Sequence, residues 1–202
     1  GHLEHDAPLA TDVLATERSS RCCDEPLRVL GLFLSDGHHA LVDVPAVLAH
    51  AVMPVVDCGS LGLGSWLIDA LEAARSGLDT GQVTHLGIAL VAAGSAKPQA
   101  RDDVLTLAAS WQRARGTPVR AAFASGPGPT ITEALGMLAD AGCQTPVLAL
   151  LMLAPGVLAD RVRAVGTEHG VAVTDPLLTA VAGGPAAPLV TRILELTTPP
   201  VL

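Results

Sequence analysis

The sequence predicts an α/β protein built as two tandem three-layer halves with parallel sheets, the first half truncated on its N-terminal side. Three observations carry that expectation. Short runs of Val, Leu and Ala alternate with longer amphipathic stretches, which is the pattern of repeated strand–helix units. The apolar half of the composition is aliphatic, with two Phe, two Trp and no Tyr, as suits helices packed on a buried parallel sheet. The order of elements also repeats at an offset of about 120 residues.

Strands are expected near residues 27–34, 51–56, 85–91, 119–124, 146–153 and 171–173, where the apolar runs fall. Helices are expected over 64–75, 99–115, 130–141, 155–165 and 188–196. Thr130 and Glu133 have the spacing of a capping box, and Gly142 supplies a left-handed stop. Residues 17–26, with two Ser and the Cys22-Cys23 pair, read as a loop.

The repeat runs from Pro8 and a helix through 27–35, Gly37, a short helix, 52–56 and a final helix. Its second copy runs from Pro129 and a helix through 146–154, Gly156, another helix, 171–173 and a final helix. Leu32-Phe33-Leu34 corresponds to Leu151-Met152-Leu153, and Gly37 to Gly156. The strand and helix over 86–115 have no counterpart ahead of Pro8, so by the same offset about 36 residues are missing from the front of the first half. The halves are therefore placed at 1–76 and 84–202, with 77–83 as the linker. The uncovered sheet edge this implies makes a homo-oligomer an expected partner arrangement. Gly1-His2 resembles a cloning remnant, and His2 carries no functional weight.

Composition excludes several classes. A net charge of -8 with a single Lys speaks against a nucleic-acid partner, because phosphate binding needs clustered Lys and Arg. Apolar runs such as 146–153 are too short to span a bilayer, so no membrane association is expected. The start lacks a basic, apolar leader, which makes the cytoplasm the expected location. The four cysteines show no CxxC spacing and read as reduced, structural residues.

The segment Leu32-Phe33-Leu34-Ser35-Asp36-Gly37-His38-His39, followed by Asp43-Val44-Pro45, resembles the "FL-x-x-G-x-H…D-x-P" stretch of the sirohydrochlorin cobalto- and ferrochelatases, the CbiX-type class II chelatases. Val91-Ala92-Ala93-Gly94-Ser95 sits where that family has its "AHGS" strand end. Phe123-Ala124-Ser125, Leu153-Ala154-Pro155-Gly156 and Asp175-Pro176-Leu177 are similar to tandem, actinobacterial-looking members, and the likeness covers nearly the whole chain.

The resemblance implies a lyase of tetrapyrrole biosynthesis, for siroheme or cobalamin, that inserts Co2+ or Fe2+ into sirohydrochlorin or a related tetrapyrrole. The divalent metal would be a substrate, and no organic cofactor is implied. Neutral imidazole suits such a metal and accepts the pyrrole protons displaced as it enters. His39 falls on the family's histidine after the glycine and is the first candidate for metal ligand and proton acceptor. His38 precedes it, and Glu4 matches an acidic strand end; both join it as candidate catalytic and metal-binding residues. Gly37 would let the backbone approach a flat ligand. Ser35 and Ser125 are candidate substrate contacts, the latter in a glycine-rich turn ahead of a helix.

Two departures stand out. The family's other histidine belongs to a strand not found in this chain, and its second-half counterpart is Ala93. Leu158 replaces the equivalent of His39, and five of the seven histidines precede the linker, so chemistry is expected in the first half and packing in the second. Three readings of the first half remain open. It is a chelatase, a degenerate chelatase fold that binds metal or tetrapyrrole without turnover, or an acid–base enzyme acting on a small metabolite. For His38-His39 the competing structural reading is two solvated imidazoles on a turn, and for Glu4 a charged strand end.

Overall fold

The computed structural model describes residues 8–20, 25–35, 39–78, 85–179 and 184–199. Seven α-helices and six strands alternate along them: α1 (Ala10–Ser20), β1 (Leu27–Gly31), a short π-helical segment (His39–Asp43) running into α2 (Val44–Ala49), β2 (Val55–Ser60), α3 (Trp66–Ser76), β3 (Leu86–Ala92), α4 (Pro98–Arg115), β4 (Val119–Phe123), α5 (Ile131–Asp140), β5 (Thr145–Leu151), α6 (Val157–His169), β6 (Ala172–Val173) and α7 (Ala187–Thr197).

The chain divides into two compact units, Gly1–Gly62 with Arg192–Leu202, and Leu63–Thr191. In the second, four parallel strands lie in the order β4-β3-β5-β6. Because side chains alternate across a strand, β3 sends Ala89 and Val91 to one face and Ile88 and Leu90 to the other. The first pair packs with Leu148 and Leu150 of β5 against Ile131, Ala134 and Leu138 of α5 and Ala159 and Val162 of α6. The other face is covered by α3 and α4, which meet β5 and β4. A sheet buried on both faces explains why β3 and β5 read as unbroken apolar runs.

Local chemistry ends the elements where the sequence suggested. Thr130 and Glu133 form the capping box of α5, and Gly142 is left-handed with φ 80°. Thr130 donates to the Glu133 carboxylate from its backbone N–H and its hydroxyl, which holds that carboxyl below its ordinary value. Gly116 closes α4 with φ 72°. Cys143 lies against Gly87, where a Cβ would come within 2.7 Å of its sulfur, and both Cys58 and Cys143 are free thiols.

The first unit repeats part of this plan. β1 and β2 form a parallel pair, and the chain leaving β2 bonds back to the end of β1 through Leu61 N–H to Gly31 O and Gly62 N–H to Phe33 O. In the second unit Leu177 N–H to Met152 O plays the equivalent part after β5 and β6. Among the described residues of the first unit nothing corresponds to β3 and α4.

Three expectations are corrected in detail. The strand expected at 51–56 lies at Val55–Ser60, because the ladder begins where Leu27 N–H bonds Pro54 O, leaving Val52 exposed. The loop expected from residue 17 starts later, since α1 continues through Ser20. Helix α3 packs within the second unit rather than with β1 and β2, and the end of α7 is grouped with the first. Leu67, Ile68, Ala70, Leu71 and Ala74 of α3 are buried there, Glu72 accepts a 2.7 Å bond from Trp111 Nε1, and Asp69 pairs with Arg115. α3 and α7 are the closing helices of the two repeats, each 11 residues long.

Candidate functional site

β1 ends at Gly31, and the chain that leaves its carboxyl end carries Ser35 and His39. Ligands of open parallel sheets bind at that end of the strands, so the placement suits a site. A Cβ on Gly31 would meet the Phe33 ring at 2.9 Å and Gly59 O at 3.3 Å. Glycine there lets the Phe33 ring lie back against the strand. The ring in turn stacks on His39, with centroids 6.3 Å apart and planes 17° from parallel.

His39 opens the π-helical segment, and its Nδ1 lies 2.6 Å from Asp43 Oδ2 four residues on. π-Helical turns are uncommon and are frequently found at functional sites. The side chain of His39 is 55% exposed and that of Asp43 29%, so the imidazole is accessible while the carboxylate beneath it is the more shielded. This arrangement can hold an imidazole in one orientation and offer it to a metal or a proton.

Ser35 lies on the exposed bend between Phe33 and the π-helical segment. His38, Gly37 and Glu4 lie outside the described residues. Ser125 belongs to the second unit, where its hydroxyl donates to Ala93 O over 2.8 Å and Ala124 N–H donates to Ala92 O. These bonds join the ends of β3 and β4. Gly94 makes the approach possible: at φ 109°, a Cβ on it would sit 1.9 Å from Ser125 O. Arg101 holds the following loop through Ser95 O and Ala96 O.

His50, His85 and His169 are exposed. Among the described residues no group of three or more His, Cys, Asp and Glu is placed to hold a metal ion. An open groove of about 450 Å3 runs along Arg163, Thr167 and Gly170, and no candidate residue lines it. Two residues of the site, Asp43 and Phe33, belong to the quoted motif but were given no role at the site from sequence. The signal for Asp43 was its i+4 spacing from His39 at a helix start.

The CbiX family model matches residues 87–177. No curated protein matches the chain. Among solved structures, SirB from Bacillus subtilis with Fe3+ is similar at a TM-score of 0.70 and 18% identity, covering 97% of this chain and 80% of that one. The sirohydrochlorin chelatase SirB from Bacillus subtilis subspecies spizizenii, in complex with cobalt, is similar at 0.68 and 16% identity, covering 96% and 76%. A multi-domain protein of Deinococcus radiodurans, described as structurally similar to chelatases, is similar at 0.59 and 17% identity, over 85% of this chain and 40% of that one.

Proposed function

From the match of residues 87–177 to the CbiX family model and the fold shared with SirB, we propose that this chain is a CbiX-type chelatase that inserts Co2+ or Fe2+ into sirohydrochlorin or a related tetrapyrrole. The observation that carries the reading is the His39–Asp43 pair at the carboxyl end of β1. Insertion exchanges two pyrrole protons for one divalent ion, so the site needs a group that binds the ion weakly and accepts a proton. A neutral imidazole does both. His39 is assigned that role, with the metal as substrate. His38 and Glu4 are proposed to assist it, and Ser35, Gly37 and Ser125 to contact the macrocycle. The net charge of -8 raises the local concentration of divalent cations, which favours delivery of the metal substrate.

Purified chain mixed with sirohydrochlorin and Co2+ or Fe2+ under anaerobic conditions tests this through the absorbance change of the ring. Insertion by the wild type and its loss in His39→Ala, with unchanged circular dichroism, is the expected result. Turnover that survives His39→Ala removes His39 from the mechanism, and a wild type without insertion overturns the assignment.

One observation favours a second reading, a degenerate fold that binds without turnover. The second half carries Ala93 and Leu158 where the resemblance expects histidines. A spectral shift of the bound tetrapyrrole without metal insertion would identify that case.

A further inference from the structure

We propose that Asp43 is the positioning residue of this site, holding His39 as the Nδ1-protonated tautomer so that the lone pair of the neutral ring stands on Nε2. The inference rests on the reading of His39 as the metal-delivering, proton-accepting group, and it adds which nitrogen does that work and what selects it.

The geometry supplies the argument. An ionised carboxylate only accepts hydrogen bonds, so with His39 Nδ1 2.6 Å from Asp43 Oδ2 the proton of a neutral imidazole belongs on Nδ1. A flip of the ring about its Cβ–Cγ bond would bring a carbon to the carboxylate and forfeit the bond. The Phe33 ring, nearly parallel to the imidazole, adds a flat contact that favours the observed plane. Gly31 supports Phe33 by leaving room for its ring against β1. Three residues, Gly31, Phe33 and Asp43, thus act on the His39 imidazole.

The internal repeat gives independent support. At the offset that pairs Phe33 with Met152 and Gly37 with Gly156, His39 falls on Leu158 and Asp43 on Val162. Val162 is fully buried in the core of the second unit, and Leu158 packs against the same cluster. The half that lacks the imidazole also lacks the carboxylate. The two positions change character together, as expected if Asp43 serves His39 rather than the helix.

The test uses the full chain labelled with 15N-histidine, in solution alkaline enough for the imidazoles to be neutral, with His39 assigned by comparison with His39→Gln. The expected wild-type spectrum has a protonated, pyrrole-type Nδ1 and a pyridine-type Nε2. Asp43→Ala should shift His39 toward the Nε2-protonated form and lower metal insertion about ten- to a hundredfold. Asp43→Asn, which keeps a carbonyl acceptor, should retain the tautomer and more of the rate. A pyridine-type Nδ1 in the wild type overturns the proposal, as does an unchanged tautomer in a folded Asp43→Ala. Should Asp43→Ala fail to fold, the wild-type and Asp43→Asn spectra still decide it. A protonated Nδ1 in a chain with no insertion activity overturns the chelatase reading and upholds the role of Asp43, so the two failures are distinct.

Discussion

Gly94→Ala should cost the second unit several kilocalories per mole, because two separate penalties meet at one residue. Gly94 has φ 109°, a region that side chains of L-residues rarely adopt, and forcing Ala into it costs about 1–3 kcal/mol. The new Cβ would lie 1.9 Å from Ser125 O and 2.9 Å from Ser125 C. Those are backbone atoms that cannot rotate away, so the ends of β3 and β4 must separate, which adds about 1–3 kcal/mol of overpacking. With a total of about 4 kcal/mol and a urea m-value of about 2 kcal/mol per molar, the unfolding midpoint should fall by about 2 M. Both tryptophans, Trp66 and Trp111, lie in Leu63–Thr191, so intrinsic fluorescence reports on this unit. Gly116→Ala is the matched control. At φ 72° with nothing within 4 Å of a Cβ, it carries the conformational penalty alone, about 1–2 kcal/mol. Equal midpoints for the two variants would refute the claim that close approach to Ser125, rather than backbone conformation, is what requires glycine at position 94.

Trp111→Phe removes the indole donor that bonds Glu72 at 2.7 Å in a fully buried side chain, and a loss of about 1.5–3 kcal/mol in denaturant unfolding is expected. Glu133 should titrate below its ordinary value of 4.5, because Thr130 donates to it twice. Its folded-state pKa is lowered, so its contribution to stability is complete above 4.5 and is lost as pH falls through the lowered value. Carboxyl 13C titration of Thr130→Ala, which keeps the backbone donor and loses the hydroxyl, should show Glu133 moved part of the way back. Ser125→Ala should cost about 0.5–1.5 kcal/mol from the lost bond to Ala93 O, measured by urea unfolding. A rise in KM for the tetrapyrrole on top of that would support the substrate contact proposed for Ser125.

Much of the architecture was legible because it is written locally. The capping box at Thr130 and Glu133, the stop at Gly142 and the apolar runs of β3 and β5 depend on neighbours within a few residues or on plain burial. β2 was displaced by four residues because the apolar stretch before it, with exposed Val52, looks more strand-like than Val55–Ser60, which carries Asp57 and Ser60. The allegiance of α3 was illegible for another reason. Sequence order places it after β2, whereas its buried stripe and the Glu72–Trp111 bond place it with α4, a contact 39 residues away. His39 could be found from the order of a motif. Its partner could not be chosen so easily, since selecting Asp43 requires the helical phase that brings residue i+4 beneath the imidazole.

Comparing the two repeats shows what the His39–Asp43 pair replaces. In the second unit the equivalent positions open a 13-residue helix, α6, and Val162 anchors it in the core. In the first unit the same stretch begins as a π-helical segment and continues as a six-residue helix, α2, of which only Val44 is buried. Two apolar anchors have been exchanged for an imidazole and a carboxylate that contribute little to packing, and the helix is shorter and less regular where they stand. Residues that break the local rules of stability with no gain in packing are expected where the chain does chemistry. On this argument the irregular turn after β1 and the regular helix after β5 are two forms of one repeated segment, the second of them shaped by the core it fills.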